Sequence, residues 1–234
     1  MRKVKILETL KDVKALEVVS SNVSDKYVPI YTSELIKILQ PEFQFEQGVS
    51  LSRKTSQHYV DLTHGEDTLR IFNSYDRTFA LRMAYVGTGI PVDLGVDRLI
   101  HIGKKAKTFI EDTKTHKDEI VDAIKTAKKI DTYLGVNKVI PKMAKGISDI
   151  IFNNITSKEG FQSYVNYIDL LVPKGLTIKS YINQSIIKYN NGDYNYTVAG
   201  TKKTGLKKGS AFNKIVLEKQ IMDFLTDEYI ELMI

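Results

Sequence analysis

Residues 59–72 read Tyr-Val-Asp-Leu-Thr-His-Gly-Glu-Asp-Thr-Leu-Arg-Ile-Phe, two apolar stretches separated by a polar turn that contains Gly65. A similar alternation of apolar and polar positions extends outward from Glu42 to Val86. Alternation with period two, interrupted by polar turns, is typical of strands that pair with their neighbours along the chain. The sequence therefore predicts an antiparallel meander of three or four short strands.

Helical patterns dominate the rest of the chain. Apolar residues recur at three- and four-residue spacing over 95–132, where a joint is expected at 113–116, and helices are expected near 147–155, 159–171, 177–189 and 214–231. Residues 1–31 favour one or two strands, and Thr32 or Ser33 is expected to cap a short helix that ends at Gln40-Pro41. We predict an α+β fold in which a β-rich part (1–94) packs against a mainly helical part (95–234), as one compact domain overall.

The composition excludes several classes of chemistry. The 234 residues carry a net charge of +6 and contain no cysteine. Disulfides, thiolate nucleophiles and thiolate zinc sites are thereby excluded. No apolar run approaches the roughly 20 residues of a membrane span, and charges interrupt the N-terminal apolar pairs, so we expect neither a signal peptide nor a membrane partner.

The most unusual segment is Tyr194–Leu217, which contains five lysines and no carboxylate. Lysines neutralise phosphates and aromatic rings stack on bases, so this composition favours a loop that binds a polyanion. The candidate nucleic-acid contacts in it are Lys202, Lys203, Lys207, Lys208 and Lys214, with Tyr194, Tyr196 and Phe212 as candidates for stacking. The lysine-rich loop is expected to follow a short strand over 194–199.

Part of this segment, Gly200–Lys207, superficially resembles a phosphate-binding P-loop. Leu206 stands where that motif requires its lysine, and Lys207 stands where it requires a serine or threonine for Mg²⁺. Only one helix is expected after it, which leaves no room for a nucleotide-binding parallel sheet. We therefore reject a nucleotide triphosphatase.

Two further groups of basic residues could extend a nucleic-acid surface. Arg70 and Arg82 belong to the meander, and period two places Arg70 on the face that also carries Phe72. Lys125, Lys128 and Lys129 lie off the apolar stripe of a helix. The alternatives are an ordinary amphipathic sheet covered by helices and an ordinary solvated helix face.

Enzymatic chemistry has little support in the sequence. His58 and His64 lie near Asp61, Glu66 and Asp67, but the spacing matches no metal-binding motif, and these residues also suit polar turns. The chain lacks the Gly-x-Ser-x-Gly elbow of serine hydrolases. We expect no catalytic residue, no metal and no cofactor, and hence a protein that is not an enzyme.

Several short motifs resemble a family of uncharacterised proteins from phages and plasmids. They are Ser24–Ile30 followed by a short helix, Asn73–Asp76 after a strand, Thr177–Asn183 with Lys188–Gly192, and Lys207–Gly209. Members of that family often carry a cysteine and an asparagine near the place where Gly87–Gly89 stands here. The resemblance implies a phage origin and a location in the host cytoplasm or the virion, and it supplies no catalytic residue.

Three functions are compatible with these patterns. The leading hypothesis is a non-enzymatic phage protein that binds nucleic acid, single-stranded DNA in particular. Its role in replication or recombination is an analogy that rests on the resemblance to phage and plasmid proteins. The second is a virion structural or assembly protein that forms homo-oligomers through its C-terminal helix, where apolar residues accumulate from Leu225 to Ile234. The third is an inhibitor that acts on a host protein by direct contact.

Overall fold

The hairpin predicted at residues 59–72 lies at the centre of a six-stranded antiparallel sheet whose strands follow chain order. The computed structural model describes residues 5–21, 23, 27–51, 56–76, 80–87, 90–94, 104–115, 117–153, 175–191, 195–198, 201–204 and 211–233. The strands of the sheet are β1 Lys5–Leu7, β2 Gln44–Ser50, β3 His58–His64, β4 Asp67–Asn73, β5 Arg82–Val86 and β6 Val92–Asp93. A separate two-stranded sheet consists of β7 Asn195–Val198 and β8 Thr201–Thr204.

Helices make up most of the remaining described chain. Their bounds are α1 Leu10–Lys14, α2 Thr32–Leu39, α3 Lys104–Thr115, α4 Lys117–Val136, α5 Pro141–Asn153, α6 Ile178–Asn191 and α7 Ala211–Met233. The predicted α+β class is confirmed, and the joint expected at 113–116 falls between α3 and α4. The helix predicted over 159–171 lies outside the described residues.

The register of β3 with β4 follows from a tight turn. His58 pairs with Asn73 at one end and His64 with Asp67 at the other, which leaves a two-residue loop. Gly65 in that loop has a φ of +61°, a left-handed conformation that glycine adopts without steric cost. On one face of these strands the side chains of Val60 and Ile71 are completely buried, so that face forms part of the core.

The N-terminus of α2 is held by side chains that are distant in sequence. The structure places the cap at Tyr31, one residue before the predicted Thr32 or Ser33, and Tyr31 makes no side-chain cap hydrogen bond. Instead, the Thr32 amide donates to the Tyr75 hydroxyl at 2.9 Å, and the Ser33 amide donates to a carboxylate oxygen of Glu17 at 2.7 Å. Tertiary contacts thereby satisfy amides that a local cap would otherwise satisfy.

The bend after β4 is buried, although most of its residues are polar. Asn73, Ser74 and Tyr75 are each 0% exposed. The Asn73 amide donates to the Ile30 carbonyl at 2.8 Å and to the Thr32 hydroxyl at 3.0 Å. These polar groups tolerate burial because partners from the segment before α2 satisfy them.

Contacts divide the chain into two compact units. The first comprises Met1–Gly87 and Asp93–Lys128, and the second comprises Thr88–Val92 and Lys129–Ile234. Lys117 of α4 forms an ion pair with Glu42 at 2.8 Å, and Lys128 forms one with Asp67 at 2.8 Å. The first part of α4 is therefore anchored to the chain around β2–β4.

In the second unit, α5 packs against α6 and α7. Ser148 of α5 lies 3.0 Å from the Tyr181 hydroxyl of α6, and Gly146 of α5 faces the Phe224 ring of α7. The sequence predicted a helix near 147–155, but α5 already begins at Pro141. Proline suits the first position of a helix, and Gly146 belongs to the packing surface of that helix.

Two glycines within helices should respond to alanine in opposite directions. A Cβ atom at Gly146 would overlap the Phe224 ring, whereas one at Gly135 would meet only Lys179 Cδ, at 3.9 Å. We expect Gly146→Ala to lower the free energy of unfolding by about 1–3 kcal/mol through overpacking. Gly135→Ala should raise it by up to about 1 kcal/mol, because alanine has the higher helix propensity. Urea unfolding followed by circular dichroism measures both, and equal effects of the two changes would contradict the packing described.

Candidate nucleic-acid interface

The sheet face opposite Val60 and Ile71 carries arginines stacked on aromatic rings. Arg70 and Phe72 lie two residues apart on β4 and therefore on the same face, and the register pairs Phe72 with Arg82 of β5. The Arg70 guanidinium carbon lies 4.0 Å from the centre of the Tyr59 ring, and that of Arg82 lies 4.1 Å from the centre of the Phe72 ring. These distances are typical of cation–π contacts.

Both arginines are also bound to carboxylates. Arg70 donates from Nε and Nη2 to the two carboxylate oxygens of Asp61, at 2.7 and 2.8 Å. Arg82 Nε lies 3.2 Å from Asp93 Oδ1. The bidentate Arg70–Asp61 pair is a strong and directional type of ion pair. The positive charges that the sequence suggested for phosphate contact are therefore compensated within the first unit.

This face offers little surface to a nucleic acid in the described conformation. Phe72 is 0% exposed and Arg82 is 8% exposed. A ring that stacks on a base must present an open face. Contacts by Arg70 and Arg82 to nucleic acid stay predictions that would require this face to open.

The three candidate lysines of α4, Lys125, Lys128 and Lys129, are exposed, but two of them are paired. Lys125 Nζ lies 2.8 Å from Asp122, and Lys128 Nζ lies 2.8 Å from Asp67. These hydrogen bonds raise the pKa of each lysine, because they stabilise the charged ammonium group. Lys129 is exposed and has no ion pair with any residue that the structure describes. Acidic neighbours thus offset much of the positive charge of this edge.

The lysine-rich segment begins as a hairpin: β7 lies within the short strand predicted over 194–199, and β8 lies where a loop was predicted. Lys202 and Lys203 lie on β8, and the antiparallel register pairs Tyr196 with Lys203 and Thr197 with Lys202. Residues at paired positions share a face of a two-stranded sheet. The backbone therefore brings an aromatic residue and a lysine to directly opposed positions.

The same segment continues into α7. Lys214 lies in the first turns of that helix, where its side chain is 44% exposed and 3.5 Å from Glu218. Phe212 is the second residue of α7, and the first turn contains no acidic residue. A helix N-terminus without carboxylates is electrostatically compatible with an approaching anion. The remaining candidates, Tyr194, Lys207 and Lys208, lie outside the described residues.

The histidines and carboxylates near the β3–β4 turn have other partners. Nδ1 of His64 lies 2.9 Å from the Glu42 carbonyl, and His58 is buried against Thr32. Asp61 binds Arg70, as described, and Asp67 binds Lys128. Among the described residues, no three histidines or carboxylates are grouped as metal ligands.

The apolar end of α7 from Leu225 onward, which suggested an oligomer, is buried at the two of its apolar residues whose side chains the structure describes. Leu225 is 0% exposed. Tyr229 is 6% exposed, and its ring meets that of Phe224 edge-on at 5.9 Å. The prediction of homo-oligomers through this helix stays a prediction, and it would need residues other than these.

The chain matches no protein-family model, no curated protein and no solved structure. Its resemblance to proteins of phages and plasmids therefore stays a prediction. Within the described part of the chain, every helix is too short or too polar to cross a membrane.

The Arg70–Asp61 pair should matter more for stability than an exposed ion pair. Asp61 is 4% exposed, and Asp61→Asn leaves the Arg70 guanidinium without its carboxylate partner. This change should lower the free energy of unfolding by about 2–3 kcal/mol. The matched change Asp122→Asn removes the partner of Lys125, where both side chains are about 70% exposed, and should change the free energy of unfolding much less, because solvent screens an exposed pair. Urea unfolding at pH 7.5 measures both costs. If the two variants unfold at the same urea concentration, the structural role assigned to Arg70 is wrong.

Proposed function

We propose that this chain is a non-enzymatic protein that binds single-stranded nucleic acid, DNA above all, through the β7–β8 hairpin and the start of α7. The observation that carries the proposal is the hairpin register, which pairs Tyr196 with Lys203 and Thr197 with Lys202. These paired residues lie within a 24-residue stretch, Tyr194–Leu217, that contains no carboxylate.

The proposed binding is independent of base sequence. Lysine contacts phosphate as a mobile point charge, and every base presents a π-face on which an aromatic ring can stack. Neither interaction reads the edges of the bases. A strand whose bases are unpaired also suits a short hairpin better than a duplex does, because duplex bases are already stacked.

The other candidate residues take lesser parts in this proposal. Lys129 is exposed enough to contact phosphate as described, whereas Lys214 would have to leave Glu218. Lys125 would have to leave Asp122, and Lys128 would have to leave Asp67. A role in phage replication or recombination rests on the sequence resemblance alone.

The hairpin lysines should account for a measurable part of the salt dependence. We expect a labelled 20-nucleotide oligothymidylate to bind the unaltered chain at low salt and to dissociate as salt rises. Each phosphate contact on a single strand contributes about 0.7 to the slope of log K against log salt, so Lys202→Ala with Lys203→Ala should flatten that slope by about 1.4. Fluorescence anisotropy at several salt concentrations measures the slope.

The matched control is Lys125→Ala with Lys129→Ala, which removes the same charge from α4. It should flatten the slope less, because Asp122 already compensates Lys125. No binding by the unaltered chain at 50 mM salt would refute the proposed function. Equal slopes for the two double variants would refute its assignment to the hairpin.

A further inference from the structure

His58 lies at the centre of a buried chain of hydrogen bonds whose direction can be deduced. Its side chain is 0% exposed. Nδ1 lies 2.6 Å from the Ser56 carbonyl oxygen, and Nε2 lies 2.9 Å from the Thr32 hydroxyl oxygen. A carbonyl can only accept, so Nδ1 carries a proton. The Thr32 oxygen already accepts from Asn73 and Tyr75, so its own hydrogen is directed at Nε2 and the buried ring is neutral.

The Thr32 hydroxyl has no spare capacity for another donor. Its oxygen accepts from the Asn73 amide at 3.0 Å and from the Tyr75 hydroxyl at 3.1 Å. The Tyr75 oxygen in turn accepts from the Thr32 backbone amide at 2.9 Å. If Nε2 of His58 gained a proton, it would become a third donor directed at the Thr32 hydroxyl oxygen. The hydrogen of that hydroxyl would at the same time lose Nε2 as its acceptor. The hydrogen bonds that hold the N-terminus of α2 could then no longer all form at the same time.

The charged and titratable groups around the ring offer no compensation. Glu17, from the segment before α2, is bonded to the amide and hydroxyl of Ser33 at 2.7 and 2.9 Å. Tyr75 from the bend after β4 lies 5.6 Å from the His58 ring, and burial raises its pKa, so it stays neutral. On β2 the paired residue is Ser50, and on β4 it is Asn73. Among the described residues, no carboxylate is paired with the imidazole.

We propose that His58 is an acid-sensitive latch, whose protonation releases the N-terminal turn of α2 and the segment before it from the sheet. Burial supports this by lowering the pKa of His58 from 6.5 to about 4 in the closed state. Because the closed state favours the neutral ring, its contribution to stability is complete above pH 6.5 and is lost as the pH falls toward 4. The latch lies in the first unit and is independent of the proposed nucleic-acid interface.

Hydrogen exchange with peptide resolution tests the latch directly. With a pKa of about 4 closed and 6.5 open, the opening constant should rise roughly 30-fold between pH 7.5 and pH 5. We expect that loss of protection, after correction for intrinsic exchange rates, in peptides that cover residues 30–39. Peptides from α7 in the second unit serve as the internal reference and should change at most a few-fold. Unchanged protection at 30–39, or an equal loss in every peptide, would overturn the proposal.

The variant His58→Gln can keep both hydrogen bonds but cannot be protonated in this range. It should reduce the 30-fold change at residues 30–39 to less than about threefold. A variant that retained the full change would overturn the assignment to His58.

Because His58→Gln could fail to fold, a second measurement uses the unaltered chain. The ¹⁵N spectrum of the imidazoles should contain a histidine that carries its proton on Nδ1 at pH 7.5 and whose titration midpoint lies at least one pH unit below the ordinary value of 6.5. Four histidines that all titrate near pH 6.5 would overturn the proposal.

Discussion

The hydrogen bonds that converge on the Thr32 hydroxyl join the first unit at the place where α2 meets the sheet. His58, Asn73 and Tyr75 reach this one residue from positions 26 to 43 residues away. Each group is buried, and a buried polar group without a partner costs about 1–3 kcal/mol. The cluster is consequently favourable only when it is complete. It also replaces the local cap that α2 lacks, so the same bonds determine where that helix begins.

The sheet uses its charged residues in a comparable way. Arg70 and Arg82 each combine a stacked ring with a carboxylate partner, and these contacts connect neighbouring strands across one face of the sheet. Residues that looked like a nucleic-acid surface in the sequence thus have structural partners. The carboxylate-free stretch of the sequence lies elsewhere, and it contains β7, β8 and the start of α7. For this reason the proposed interface lies in the second unit.

The sequence predicted those parts of the fold whose signals are local. Alternation located strands β2–β5, and helical spacing located α3, α4, α6 and α7. Helix α1 had a readable signal that the prediction overlooked, since Thr9 and Asp12 form a capping box. Strand β8 was not predicted, because lysine has a low β propensity. The buried cluster could not be predicted, because its partners are distant in sequence and its residue types suit a polar turn equally well.

For the candidate site, composition located the lysines but could not tell which of them are paired. The Arg70–Asp61 pair was in principle readable, because a two-residue loop at Gly65 and Glu66 places these two residues directly opposite each other. The pairs of Lys117 with Glu42 and of Lys128 with Asp67 span 75 and 61 residues and depend on how α4 packs. Charge summed along a sequence therefore overestimates the charge that a surface presents.

Photo-cross-linking tests the central claim, which is that nucleic acid binds at the lysine-rich hairpin. A single strand that carries 4-thiothymidine can be irradiated with the unaltered chain at low salt and the attached peptides identified by mass spectrometry. We predict that the attachments fall within residues 194–214, with Tyr196 and Phe212 as the preferred positions. Attachments concentrated at Tyr59 and Phe72 of the sheet, or none above the level of a high-salt control, would contradict the claim.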